Sequence, residues 1–461
     1  MKPANLIVVA TLACSGACFG AASASAQTQD PTVQTEDIAP TQSQPQPLQA
    51  RPGVSIGVLG DWGGLRPRLY DKGFDFQVGY GNELAWNMRG GTKRDVTDIG
   101  QVIVGTSIDM DKLAGVKGGT AKVTLFYRHG PSLNINAGLG LIQQVQEAYG
   151  RGEIVRLVEA WYQQSFADDR VRLKLGRLPA NGDFASFACD FQNLSFCASP
   201  QGNVQGGISY WFSAPASAWA AVGRYNFGGD RKAGYLQVGV YQTNQKNIDP
   251  TNGFRLALSG GTGVLLPVEA AWTPNFGGSK PGYYKVGGWV ETSLANDLTR
   301  DAQGDLTIVS SAPGAPFRGR HGVYFEMAQQ LTPSPEGLDR TGLSMFFNAT
   351  RLDRKSSMID SQIAVGLTQT GTFAGREHDQ IAVAIARTHV NDRLRLTDRI
   401  AVDQGVLPGV RGSEYLVELD YRIVPVAGIK IGPNVQWGVN PGAIASARNV
   451  VAGGVKSSIS F

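Results

Sequence analysis

The chain has 461 residues, a formal net charge of +4, 17% charged residues and 59 glycines. Its charge content is well below the roughly one quarter typical of soluble domains, and the small net charge gives no sign of a nucleic-acid partner. Beyond the N-terminus no stretch approaches the roughly 18 consecutive apolar residues of a transmembrane helix, so any membrane reading has to rest on strands.

The chain opens Met1-Lys2, runs apolar from Leu6 to Ala13 with Thr11 as the one interruption, and reaches Ala24-Ser25-Ala26 before Gln27. A basic start, a short apolar core and a small-x-small site make residues 1–26 a secretory signal peptide. Cys14 and Cys18 suggest a lipoprotein, but Thr11 and Ser15 stand where that signal needs a leucine-like residue. Residues 27–59 are rich in Gln, Thr and Pro for most of their length; they offer too little apolar surface to offset ordering entropy and read as a flexible periplasmic lead. A barrel domain is expected over 60–461, beginning with a short amphipathic helix over 60–73. Leu65 and Leu69 lie four apart, Gly73 suits the C′ position, and Pro67 is tolerable only if the helix starts near Gly64.

After Gly73 the hydrophobic period becomes two. Phe74, Phe76, Val78 and Tyr80 alternate with Asp75, Gln77, Gly79 and Gly81; Ala121, Val123, Leu125 and Tyr127 with Lys122, Thr124, Phe126 and Arg128. Tyr415, Val417, Leu419 and Tyr421 alternate with Leu416, Glu418, Asp420 and Arg422, while Ile429, Ile431, Val435 and Trp437 oppose Lys430, Asn434 and Gln436. Strict alternation marks strands with one apolar and one wet face. A soluble sandwich would not bury charges of both signs, and Tyr80, Tyr127, Tyr421 and Trp437 near strand ends suit interfacial girdles.

Open strand edges are not viable in hydrocarbon, so spanning strands must close into a barrel. Candidates fall near 74–80, 100–110, 120–128, 154–166, 170–177, 206–213, 218–226, 234–242, 263–272, 283–291, 321–331, 341–350, 359–369, 378–388, 413–424, 428–437 and 450–461. That is one too many or too few for a chain with both ends in the periplasm, which needs an even number, about 16 or 18. Ala167-Asp168-Asp169-Arg170 reads as a periplasmic turn, and 129–153, 179–205 and 293–319 as long loops, extracellular or folded inward. Export leaves Cys189 and Cys197, an even pair expected to form a disulfide; a metal site needs more thiol or imidazole ligands than stand nearby. No cofactor is expected.

One block is Gly60-Asp61-Trp62-Gly63-Gly64-Leu65-Arg66 with Arg68-Leu69 and Lys72-Gly73. Others follow at Val158-Glu159-Ala160-Trp161-Tyr162-Gln163-Gln164, Leu175-Gly176-Arg177, Asp183-Phe184-Ala185, Gly260 to Pro267 and Tyr284 to Trp289. Together these blocks resemble the carbohydrate-selective porins (the OprB type). Pro67 departs from the pattern. The resemblance runs in order from about Gly60 to Phe461 and implies a barrel of about 16 strands, passive uptake of sugars, a polar constriction and residence in a Gram-negative outer membrane. The ending Val455-Lys456-Ser457-Ser458-Ile459-Ser460-Phe461 resembles the signal read by the barrel assembly machinery. Outer-membrane lipid is the expected surround, and the sequence leaves monomer and homo-oligomer open.

Sugars present hydroxyls and C–H faces, so a selective pore needs polar groups beside an aromatic ring, with binding weak enough for release. Two strands meet that description. With Val158, Ala160 and Tyr162 on the apolar face, Glu159, Trp161 and Gln163 turn to water; with Tyr284, Val286 and Val290 towards lipid, Lys285, Trp289 and Glu291 turn inward. The competing reading places both tryptophans in girdles or beneath an inward-folded loop, and leaves the charges as merely hydrated. Arg177 shares its alternation with Val171, Leu173 and Leu175, so it lies near the strand end or follows a bulge, aimed at a constriction or at the surface. Charges of both signs on the wet faces favour a neutral solute such as a mono- or small oligosaccharide. A general diffusion porin is the alternative. An outer-membrane enzyme is less favoured, because His129, His321, His378 and His389 sit in no nucleophile motif, and no passenger domain suggests an adhesin.

Overall fold

The computed structural model describes residues 57–187, 190–197, 211–228, 233–333 and 341–461. The expected signal peptide, the lead up to residue 56 and Cys189 lie outside these residues. Sixteen long strands form one antiparallel sheet. In chain order they are β1 (Phe74–Arg89), β2 (Val96–Asp109), β3 (Gly119–His129), β4 (Val155–Phe166), β5 (Val171–Leu178), β6 (Ala218–Phe227), β7 (Gly234–Thr243) and β8 (Gly263–Trp272). Then follow β9 (Lys280–Glu291), β10 (Arg320–Gln330), β11 (Gly342–Leu352), β12 (Ile359–Thr370), β13 (Gln380–Val390), β14 (Ser413–Val426), β15 (Ile429–Val439) and β16 (Val450–Ser460). Each strand pairs with its neighbours in sequence, and β1 pairs with β16, Tyr80 opposite Ile459, so the sheet closes.

The candidate at 206–213 is the surplus one. Trp211–Ser213 carry no strand, the rest of the candidate lies outside the described residues, and β5 pairs directly with β6. Trp211 and Phe212 are buried, so the apolar run that looked like a strand is apolar because it packs.

Burial is inverted relative to a water-soluble protein. Lys285 is 1% exposed and Glu418 0%, whereas Val286 and Leu419 are 58% and 55% exposed. Large exposed apolar residues recur at alternate positions of most strands, as at Leu173, Leu175, Leu236, Val238, Ile363, Val383 and Ile385. So wide an apolar band would be an aggregation liability in water and is the required outer surface in lipid. Phe166, Tyr225, Phe227, Trp272 and Phe276 are exposed at the end of the barrel bearing the short turns, as an interfacial girdle requires, and Trp437 is exposed towards the other end.

The short connections, such as 167–170 and 427–428, lie at one end of the barrel, and the long ones, 130–154, 179–217, 244–262, 292–319 and 391–412, at the other. In outer-membrane barrels the long-connection end faces outside. The connection 292–319 carries its own small hairpin, Ala295–Asp301 paired with Gly314–Phe317.

The helix is shorter than the expected 60–73. It spans Leu65–Asp71, which puts Pro67 in the first turn, where a missing N–H costs nothing. Its Arg66 is buried beneath Trp62 and donates to the carbonyls of Phe461 (3.1 Å) and Phe76 (2.8 Å), while Val58 N–H donates to Ser460 O (2.9 Å). The last residues of the expected lead are therefore fastened to the final strand. Removing a charged donor to two carbonyls costs about 1.5–3 kcal/mol. Arg66→Ala is accordingly expected to lower the unfolding free energy of the purified barrel by that amount, read as a lower urea midpoint at unchanged slope, while heat-modifiable gel migration persists.

Candidate functional site

The described parts of the connections 130–154 and 179–217 fold into the lumen, and the wall holds them through carboxylates. A folded-in loop brings backbone N–H groups that have no strand partner and must be satisfied. Glu414 on β14 accepts from Ile142 N (2.8 Å) and Gln143 N (3.2 Å). Four residues further along β14, Glu418 accepts from Gln192 N (2.8 Å) and Asn193 N (2.9 Å). Glu83 on β1 accepts from Ala148 N (3.1 Å), and Glu269 on β8 from Ala185 N (2.8 Å) as well as from the hydroxyls of Tyr235 and Tyr324. The two loops also pair with each other: Glu147 N donates to Gln192 O and Leu194 N to Gln144 O, both at 2.9 Å. Lys456 on β16 ties wall to loop, 3.2 Å from Glu83 and 3.1 Å from Glu147, with its ammonium also donating to Phe191 O.

A ladder of charge crosses β3, β4 and β5. Lys122 Nζ lies 3.0 Å from Glu159, whose other oxygen accepts from Trp161 Nε1 at 3.2 Å; Thr124 Oγ1 donates to Glu159 at 2.7 Å. Lys174 Nζ sits 4.7 Å from the Trp161 ring centroid and 2.5 Å from Asp183 of the inward loop. Gly176 stands opposite Trp161 with φ 145°, and a Cβ there would fall 2.2 Å from Ala160 O, so the residue facing the indole has to be glycine.

The family model for the carbohydrate-selective porin, OprB family, matches residues 93–461. The chain belongs to this family. It is 36% identical to Porin B of Pseudomonas aeruginosa, over 87% of this chain and 90% of that protein. It is 30% identical to the putative porin QuiX of Acinetobacter baylyi, over 88% and 93% of the two chains. The high-pH structure of Pseudomonas putida OprB superposes with a TM-score of 0.83 at 33% identity, covering 90% of this chain and all (100%) of that one. The low-pH structure of the same porin gives a TM-score of 0.56 at 25% identity, covering 89% and 99%. Family and barrel together make this chain a carbohydrate porin of a Gram-negative outer membrane.

Within this porin the residues singled out from sequence separate into two groups. Glu159 and Trp161 stand together in the ladder, and Trp161 is only partly buried. Their strand, however, does not alternate throughout: the register slips between Thr124 and Leu125 of its partner, leaving Val158 as the extra residue. Val158 is therefore fully buried against Ile103 and Phe126 rather than on the lipid face, where strict alternation would put it. Lys285, Trp289 and Glu291 all face inward on β9, as expected, but each is engaged. The Lys285 ammonium donates to Ser186 O, Glu291 pairs with Arg320 and accepts from Ser293, and Trp289 packs against Trp211 (5.0 Å between centroids) and Tyr324 (6.3 Å). The Trp289 ring covers Gly322, where a Cβ would lie 2.2 Å from it. Arg177 is at the outer end of β5, opposite Ala160, and donates to Asn247 Oδ1 (3.3 Å) and Ser217 O (2.7 Å) beneath two connections. Cys197 is buried, and its expected partner Cys189 lies outside the described residues.

The anchoring carboxylates Glu83, Glu269, Glu414 and Glu418 were not distinguishable from hydrated wet-face charges by alternation alone. Their common signal is a carboxylate on a wet face at the level of a long connection. Glu418→Ala would leave two buried N–H groups unpaired, a loss of about 2–4 kcal/mol. It should also free the 179–217 connection, raising single-channel conductance and its noise in planar bilayers; wild-type conductance would show that the other anchors suffice.

Proposed function

We propose that the strip Lys122, Glu159, Trp161, Lys174 and Asp183 is the sugar contact of this channel. The observation that carries the reading is that Trp161, unlike Trp289, keeps part of its ring unburied while its N–H is directed at Glu159. A sugar passing the strip meets an indole face for its C–H surface and cations and carboxylates for its hydroxyls. These groups already pair with one another, so a hydroxyl exchanges for an existing partner and leaves as readily as it arrives. The balance of signs along the strip gives no reason for a strong preference for anions or cations. The solute is a neutral mono- or small oligosaccharide moving down its gradient, and no catalytic step or cofactor enters. Lys285, Trp289 and Glu291 belong in this reading to the scaffold that holds the inward loop.

Liposomes containing the protein should swell faster in monosaccharides than in amino acids of equal size; equal rates would leave a general diffusion porin. In single-channel recordings, Trp161→Ala should weaken the block of ion current by added sugar at least severalfold, since a stacked ring contributes about 1–2 kcal/mol. Trp289→Ala should act chiefly on stability, through the loss of a packed aromatic, about 3–5 kcal/mol. Unchanged block in Trp161→Ala would remove the indole from the strip.

A further inference from the structure

The outer wall near its extracellular end is apolar on most strands. Val96, Leu266, Val290 and Trp437 are exposed there. The sector β11 to β13 is different. Arg351 on β11 lies between the buried Thr350 and Leu352, and Arg387 on β13 between the buried Ala386 and Thr388, so both side chains point outward, and both are exposed. In register, Arg351 opposes Ser361 of β12, and Ser361 opposes His389 of β13; Arg387 is two residues further in, opposite Ile363 and the exposed Tyr415. Arg354 and Arg395, also exposed, stand in the connections just beyond.

The carboxylates in this sector do not cancel that charge. Asp360 is buried, with Arg354 Nε at 3.2 Å, His389 Nδ1 at 2.8 Å and Arg351 at 3.9 Å. Asp392 takes Arg395 at 2.8 Å and Arg354 at 3.9 Å. Arg351, Arg354 and Arg395 thus share two carboxylates with His389, one of the two withdrawn from the surface. Arg387, opposite Tyr415 in register, donates from Nε to Ser413 Oγ at 3.1 Å, which draws the guanidinium towards the outer end of β14. An exposed tyrosine at a strand end marks headgroup depth.

We propose that this sector docks the phosphorylated headgroup of an outer-leaflet glycolipid. One outward arginine near the interface is cheap and needs no ligand. Two on strands flanking β12, with two more directly beyond, make a cationic patch at the depth where a phosphate lies. A guanidinium fork matches phosphate oxygens in pairs, which an ammonium does not. The patch is on the lipid side of the wall, so it is independent of the sugar pathway.

The test uses the full-length porin in detergent, with diphosphorylated lipid A and its fully dephosphorylated form as probes, read by native mass spectrometry. Wild type should retain the diphosphorylated lipid at least about tenfold better than the dephosphorylated one, and R351A/R387A should lose that preference while its sugar flux in liposomes is unchanged. R351K/R387K should recover part of it. Equal retention of the two lipids by wild type, or undiminished preference in R351A/R387A, overturns the proposal. Should R351A/R387A fail to give a heat-modifiable barrel, raising salt from about 0.1 to 0.5 M must strip the phosphorylated lipid from wild type; salt-insensitive retention overturns it equally.

Discussion

The lumen depends on backbone N–H groups of the two inward connections finding acceptors on the barrel wall. A strand wall spends most of its main-chain acceptors on its own ladder and has few left for the N–H groups of a loop. Side chains therefore supply the acceptors, and a carboxylate with two oxygens takes two N–H groups at once. Glu414 and Glu418 do so on a single strand four residues apart, so β14 alone fixes one point on each connection. Glu83 and Glu269 repeat the device on β1 and β8.

Much of the barrel was legible because lipid and lumen impose a period of two on every strand. Where that period fails, the sequence misleads in an identifiable way. Val158 looks lipid-facing by counting, but one extra residue in β4 turns it inward, and the bulge has no mark in the residues themselves. The segment around Trp211 and Phe212 is apolar enough to pass for a strand because it packs inside the barrel, where a loop needs apolar residues as a strand does. Alternation reports which way a side chain points, and not what it meets there.

The same limit explains the candidate site. Lys285, Trp289 and Glu291 point where they were expected to point, yet each is consumed by a loop or a neighbouring strand. Which connection would fold against which strand is a long-range fact with no local signature, so the two Trp–Glu faces looked equivalent in sequence. They differ in the structure because Trp211 packs on the buried Trp289, while Trp161 has Gly176 opposite it and stays only partly buried. The carboxylates that hold the loops were visible as wet-face residues and were indistinguishable from solvated ones for the same reason.

The pairing of the two inward connections through Glu147, Gln192, Gln144 and Leu194 carries an evolutionary consequence. Neither loop has an independent path across the lumen, since each is part of the other's support. A lineage adapting to a different sugar cannot trim or lengthen one of them in isolation without disturbing its counterpart. Divergence in pore size within such porins should proceed by paired changes in both connections, with the wall glutamates kept while the loop side chains drift.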